Sequence, residues 1–337
     1  MVPVTKSKTN YKSDQPKILI ISSDYDHILV HRVIEYLHNQ NAQVIYFKSE
    51  DLISSDNNFY FEVNESKSTL IYDGVELDLG AINAVWYRRP HIFFKEKAKN
   101  INQTEISKES MSISSLIWGI IDDDKFLNST NRIKYSDNKF RQLIIASKLG
   151  FITPVSLVSN NGNKIKEFAS KNKKIVCKFI QAELTLDNKL RNISTNSLEE
   201  KTIDKFLQNR KKFFPGIYQN FIPKKREWRV TIVGEKVFSA TVYTDNQSSE
   251  DWRVYQDTDH VKFKAETLDK KYTDKLKEML KIFNLRFGAF DLIETPEGEI
   301  VFLELNPNGQ YGWLEDELGL PISEAIANEL IIIANNS

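Results

Sequence analysis

The chain reads as an α/β protein: an N-terminal βαβ unit followed by two lobes that each mix helix and sheet. Three observations carry that reading. Segments 17–22, 27–40 and 42–47 run apolar, amphipathic, then apolar again, which is a strand–helix–strand start. Segment 174–179 is another short apolar strand, with Lys178 inside it. Segments 290–294 and 302–306 flank Thr295-Pro296-Glu297-Gly298, where Pro fixes φ and Gly ends the turn, so they read as a β-hairpin.

With 337 residues the chain is long enough for two or three domains and a sizeable core. Lys+Arg and Asp+Glu both number 46, so no bulk charge draws it to nucleic acid or to a membrane surface. No apolar run approaches the roughly 20 residues of a membrane span. The single cysteine, Cys177, excludes an internal disulfide framework and reads as a small buried hydrophobe rather than a nucleophile. Residues 1–16 are polar, with no apolar segment before Pro16, so they are expected to be a disordered arm rather than a signal peptide. A soluble, cytoplasmic enzyme is the expectation.

Residues 17–128 form the first unit. Ser23 and Asp24 precede the helix at 27–40 and are expected to cap it. No G-x-G-x-x-G follows the first strand, which disfavours dinucleotide binding. His27 and His31 have i,i+4 spacing but no evident carboxylate or cysteine partner, so an ordinary helix surface outweighs a metal site. Residues 59–63 and 69–72 pair as a hairpin, and 84–90 is a strand ending in Arg88 and Arg89. Those two arginines are either a solvated strand end or a rim of positive charge facing an anion. Residues 95–128 look helical.

Residues 129–223 form the second unit. Lys139 opens a helix that runs to Gly150 and is followed by Thr153-Pro154. Lys178 either meets an anion or snorkels to water. Residues 181–191 read as strand–turn–strand, 199–209 as a helix and 216–223 as a hinge strand. The third unit, 224–337, opens with a strand on which Glu227 and Arg229 share a face, turns at Gly234-Glu235, and returns over 237–243. In the closing hairpin, alternation puts Phe302, Glu304 and Asn306 on one face. An even-numbered loop would add Asp291 to that face, with cross-strand Cβ atoms roughly 4.5–5.5 Å apart. Two carboxylates and an amide oxygen suit Mg²⁺, which completes its shell with phosphates and water. Phe302 would then floor a nucleotide base.

The order of lysine helix, Gly-Pro, strand lysine, hinge and Asp…Glu-x-Asn hairpin resembles the ATP-grasp superfamily over residues 130–330. Further motifs fit one subgroup: Trp86-Tyr87-Arg88-Arg89-Pro90, Glu227-Trp228-Arg229-Val230-Thr231, Asp251-Trp252-Arg253, and Glu304-Leu305-Asn306-Pro307-Asn308-Gly309-Gln310-Tyr311-Gly312-Trp313. Together they resemble the ATP-grasp peptide ligases that mature microviridin-type graspetides, including the grasp-with-spasm maturases. The absence of a Gly-rich loop after Lys178 departs from ATP-grasp enzymes generally and is expected in this subgroup.

The resemblance implies an ATP-grasp fold behind a Rossmann-like pre-ATP-grasp domain, with ATP and Mg²⁺ as cofactors. It implies that a side-chain carboxylate of a ribosomal precursor peptide is phosphorylated. A Ser/Thr hydroxyl or Lys amine of the same peptide then closes an ω-ester or ω-amide ring. Lys139, Lys178, Phe302 and the hinge residues Gln219, Asn220, Phe221 and Ile222 would bind ATP, and Asp291, Glu304 and Asn306 the metal. Arg229 and Arg253, with Glu227 beside them, would hold the phosphorylated intermediate, unless either arginine merely pairs with Glu227 or Asp251. Arg88, Arg89, Glu183, Asp187 and Gln310 would meet the peptide, its leader lying beside 181–196. A homodimer is the expected assembly. A carboxylate–amine ligase on a small substrate, a small-molecule kinase and a nucleotide sensor are the competing readings.

Overall fold

A computed structural model of the chain describes residues 15–54, 59–64, 68–92, 103–178, 183–186, 189–192, 196–199, 203, 215–244 and 261–337. The first unit begins with β1 (Lys17–Ser22), α1 (His27–Asn39) and β2 (Gln43–Lys48). An antiparallel sheet follows, β3 (Phe59–Val63), β4 (Ser68–Tyr72) and β5 (Val75–Asp78), and then β6 (Ala84–Tyr87). β1, β2 and β6 pair in parallel in the order β2-β1-β6. Ile18, Leu19, Ile20 and Ile21 are fully buried, which is why β1 reads as an unbroken apolar run rather than an alternation. The hairpin read at 59–72 is present, and β5 extends it by a third strand.

Ser23 and Asp24 do not cap α1. A 3₁₀ turn over Asp24–Asp26 intervenes, and Asp26 stands at the N-cap with no side-chain cap bond. Its carboxylate is engaged elsewhere, as described below. Of the 95–128 span, α2 (Gln103–Trp118) is a helix that buries Ser114, Ile117 and Trp118.

Next come α3 (Thr130–Ser136) and α4 (Lys139–Lys148), capped by Ser129 and Asn138 through bonds to the Arg132 and Arg141 N–H groups. Gly150, at φ +80°, ends α4 as the sequence suggested. Then follow β7 (Ser156–Ser159), α5 (Gly162–Asn172), β8 (Lys174–Lys178), β9 (Glu183–Leu186), β10 (Lys189–Asn192), β11 (Asn196–Glu199) and β12 (Gly216–Asn220). Four of these strands form a sheet of order β11-β8-β12-β7, and β9 and β10 form the hairpin read at 181–191. α5 covers one face, with Ile165, Ala169, Ile175, Cys177 and Tyr218 in a small core of their own. Cys177 is the buried hydrophobe that its neighbours implied.

The last unit comprises β13 (Arg226–Val233), β14 (Lys236–Thr244), β15 (Val261–Ala265), α6 (Lys270–Phe283), β16 (Phe287–Glu294), β17 (Ile300–Asn306), α7 (Gly312–Leu318) and α8 (Ile322–Asn335). Its sheet runs β15-β14-β13-β16-β17. One face packs on α6 and α4 through Trp228, Val230, Ile232, Leu276, Leu280, Leu143 and Ala146. Thus α4, grouped with the middle unit on sequence, rests on the C-terminal sheet and brings Lys139 to β17. A second core joins the first and third units: Leu29, Val30 and Val33 of α1 meet Ile326, Leu330 and Ile333 of α8.

Candidate active site

The hairpin of β16 and β17 sets Asp291 opposite Glu304, by a route other than the expected one. The loop, 295–299, is odd-numbered, and Glu294 pairs with Ile300. Regular pairing would therefore place Leu303, not Glu304, across from Asp291. A β-bulge corrects the count: Leu292 pairs with Phe302, Asp291 with Glu304, and Leu303 is the extra residue. The same bulge overturns the place given to Phe302. Its ring points to the opposite face from Glu304 and is fully buried among Phe151, Phe290 and Leu292, so it cannot floor a base.

Asp291, Glu304 and Asn306 do converge. The Asn306 amide nitrogen lies 3.3 Å from Asp291 Oδ2 and 3.2 Å from Glu304 Oε1. Lys139 Nζ closes the group from α4, 3.3 Å from Asn306 Oδ1, 3.4 Å from Glu304 Oε2 and 3.1 Å from the Leu305 carbonyl. Asp137 is also within 3.1 Å of Lys139. On the other side, β13 sets Arg229 opposite Asp291. The Arg229 NH1 donates to Asp291 Oδ1 at 2.7 Å and its NH2 donates to the Gln310 carbonyl at 2.7 Å. Glu227 shares the Arg229 face but pairs with Lys224 at 2.5 Å, so Arg229 takes Asp291 rather than Glu227 as its carboxylate.

This donor set fits a hard divalent cation. A positively polarised amide N–H group already sits between the two carboxylates, and Asn306 carries an oxygen on the same amide. Among the described residues no group of three or more His, Cys, Asp or Glu could hold a metal; here the third donor is an amide.

Sequence reading missed the residues that hold this hairpin in place. Gln142 is fully buried. Its Nε2 donates to the Leu305 carbonyl at 2.8 Å and its Oε1 accepts from the Leu305 N–H at 2.9 Å, so a side chain completes the edge of β17 as a strand would. After β17, consecutive carbonyls are each held by a side chain. Asn128 takes Pro307, Arg88 takes Asn308 and Gly309, and Arg229 takes Gln310.

One peptide-binding assignment is corrected by burial. Arg88 is only 1% exposed, paired with Asp26 at 3.0 Å, and faces this loop instead of forming a charged rim. Burial pushes its pKa down, and the neighbouring Asp26 carboxylate opposes that. Gln310 has both ends of its amide engaged, accepting from Arg88 NH2 at 2.7 Å and donating to Asp26 Oδ1 at 3.0 Å. Arg89 is exposed as expected, at φ +43°, with its guanidinium over the Tyr25 ring in an open cavity of about 430 Å³ lined also by Ser23, Pro90 and His91.

Lys178 is half-buried on the face of its sheet away from α5, opposite Ile217, because Cys177 takes the core side. In the hinge, the Asn220 and Phe221 N–H groups already bond the Val155 and Lys174 carbonyls, and Gln219 pairs within the sheet on both sides. That leaves Ile222 as the hinge N–H not taken by those bonds. Asp187, Asp251 and Arg253 lie outside the described residues, as do most of the helix read at 199–209 and the side chain of Glu183.

Residues 17–134 match a family model described as the MvdD pre-ATP grasp domain. Comparison with curated proteins gave no match. Among solved structures, the macrocyclase MdnC of Microcystis aeruginosa MRC, bound with precursor peptide MdnA, superposes with a TM-score of 0.80 at 27% identity, over 94% of this chain and 99% of that one. A RiPP-associated ATP-grasp ligase of Chryseobacterium gregarium, in complex with ADP and a leader and core peptide, gives 0.79 at 27% identity, over 96% of this chain and 98% of that one. D-alanyl-alanine synthetase A of Vibrio cholerae gives 0.58 at 15% identity, over 96% and 99%, a likeness of fold alone. The resemblance read from the sequence therefore holds: the chain has the ATP-grasp fold of the RiPP peptide macrocyclases, opened by an MvdD-type pre-ATP-grasp domain.

Proposed function

We propose that this chain is an ADP-forming ATP-grasp ligase that closes ω-ester or ω-amide rings in a ribosomally made precursor peptide. The convergence of Asp291, Glu304, Asn306 and Lys139 on one hairpin face carries the reading, because two carboxylates, an amide oxygen and a lysine suit a Mg²⁺-bound triphosphate. Solved relatives at 27% identity that hold ADP or a precursor peptide support it.

Asp291, Glu304 and Asn306 would hold the metal, which when bound neutralises phosphate charge. Lys139 stands where it can exchange its carboxylate contact for a phosphate oxygen. Lys178, on the sheet face opposite α5, is the second phosphate-binding cation, and Ile222 offers the hinge N–H to an adenine edge. In the reaction, a peptide carboxylate oxygen attacks the γ-phosphorus and ADP leaves. The hydroxyl or amine of the same peptide then attacks the acyl carbon, and inorganic phosphate departs with the former carboxylate oxygen. Arg229, fixed beside Asp291, stabilises the charge that builds on the acyl phosphate and the tetrahedral oxyanion. Exposed Arg89 is left as the basic residue for acidic peptide side chains.

The test is to incubate the full chain with ATP, Mg²⁺ and candidate precursor peptides rich in Asp/Glu and Thr/Ser. Each ring should remove one water, about 18 Da, with ADP and phosphate as nucleotide products. AMP, or a peptide that keeps a phosphate, would replace this reading with adenylation or kinase chemistry.

A further inference from the structure

Arg88 follows β6 in the first unit, yet all three of its guanidinium nitrogens are engaged at the other end of the chain or beside it. NH1 donates to the Asn308 carbonyl at 3.2 Å and the Gly309 carbonyl at 2.9 Å, and NH2 donates to Gln310 Oε1 at 2.7 Å. Nε forms the 3.0 Å ion pair with Asp26 Oδ2, and Asp26 Oδ1 in turn accepts from Gln310 Nε2 at 3.0 Å. Asn308 returns a bond to the Tyr87 carbonyl at 3.1 Å. A guanidinium is a rigid planar fork, so contacts of this kind fix three consecutive loop residues relative to β6.

That loop passes its position on. The Gln310 carbonyl accepts from Arg229 NH2, and Arg229 NH1 donates to Asp291 Oδ1, both at 2.7 Å. There is little slack in the path. A Cβ on Gly309 would lie 2.9 Å from Arg229 NH2 and 2.6 Å from the Ala289 Cβ, so the loop backbone lies directly on the arginine. A clamp meant only to join the two units would not need this route. α1 and α8 already join them through an apolar core, and Arg32 adds bonds to Glu315 and Asp316.

We propose that Arg88 is a positioning residue for the candidate metal site: through loop 308–310 it fixes Arg229, and through Arg229 it fixes the Asp291 carboxylate. The inference rests on the ligase reading above.

The experiment uses the full chain and titrates Mn²⁺ in the presence of ADP, followed by electron paramagnetic resonance, for wild type, Arg88→Lys and Gln310→Ala. Arg88→Lys keeps the charge and loses the fork. The expected result is a Mn²⁺ dissociation constant raised severalfold, up to the roughly tenfold that loss of a direct partner of a metal ligand costs, with metal-free ADP binding unchanged. Turnover of Arg88→Lys should recover toward wild type as Mg²⁺ is raised, which loss of folded protein would not do. If Arg88→Lys does not fold, Gln310→Ala, which keeps the Arg88–Asp26 pair, carries the same expectation. Mn²⁺ affinity unchanged in the folded variants, whatever their thermal stability, overturns the inference alone. A wild type that binds neither Mn²⁺ nor ADP overturns the ligase reading and the inference with it.

Discussion

Asn306 stands between two carboxylates with its amide nitrogen, while its oxygen faces Lys139 at 3.3 Å. The arrangement balances charge locally: Arg229 answers Asp291 and Lys139 answers Glu304. Incoming phosphates compete for those same cations, so nucleotide and metal are expected to bind together. Lys178 is the cation on the other sheet. Lys178→Met should weaken ATP binding by about 1.5–3 kcal/mol, the worth of a charge-assisted phosphate contact. Isothermal calorimetry checks this, and an unchanged affinity would remove Lys178 from the site. The convergence of Asp291, Glu304 and Asn306 was legible, since an Asp…Glu-x-Asn hairpin is a local pattern. Arg88 was not. Two arginines at a strand end look solvated in any local window, and nothing nearby in sequence announces that loop 308–310 will cover one of them.

At the scale of elements, β17 depends on a helix that does not belong to its sheet. Gln142 of α4 bonds both the N–H and the C=O of Leu305, between the candidate metal ligands Glu304 and Asn306. Gln142→Leu should leave the Leu305 N–H buried without that partner, at a cost of about 1–3 kcal/mol, read by urea denaturation. It should also loosen Lys139, which leaves the same helix. A midpoint equal to that of wild type would show the edge to be satisfied without Gln142. The βαβ start was legible because β1 is buried on both faces and therefore reads as continuous apolar sequence. The hairpin was legible as a hairpin, but the face of each residue was not. Strand parity depends on the exact loop length and on any bulge, and the extra residue Leu303 looks like an ordinary strand residue. Two departures, an odd loop and a bulge, cancel at Glu304 and leave Phe302 on the core side. β17 thus keeps Glu304 opposite Asp291 and turns the Phe302 ring into the core.

Across the whole molecule, the chain leaves the hinge and enters the C-terminal sheet through a charged cluster. Arg226 bonds Glu294 at 2.7 Å and Glu266 at 2.6 Å, and Lys225 and Trp228 also bond Glu294. Burial pulls the Glu294 and Glu266 carboxyls up. Bonds from Arg226, Trp228 and Lys225 outweigh it at Glu294, and bonds from Lys264 and Tyr243 with the charge of Arg226 outweigh it at Glu266, so both end below the ordinary glutamate value. A carboxyl whose pKa is lowered by folding stabilises the native state above its unfolded value, and that stability is lost as pH falls through the folded value. Thermal stability should therefore fall from about pH 5 downward, where unfolded glutamate begins to bind protons, and Arg226→Met should flatten that slope. A wild-type slope equal to that of the variant would show the cluster to be neutral. The succession of strands and helices was largely legible from the sequence. The allegiance of α4 to the C-terminal sheet was not, since only packing reveals it. Phosphorylation of a peptide carboxylate followed by its displacement within one site is open to an isotope experiment: a precursor peptide labelled with heavy oxygen in its Asp and Glu side chains is incubated with the full chain, ATP and Mg²⁺. One labelled oxygen should appear in the released inorganic phosphate for every ring closed, with ADP as the other product. Label in AMP, or unlabelled phosphate alongside ring closure, would contradict it.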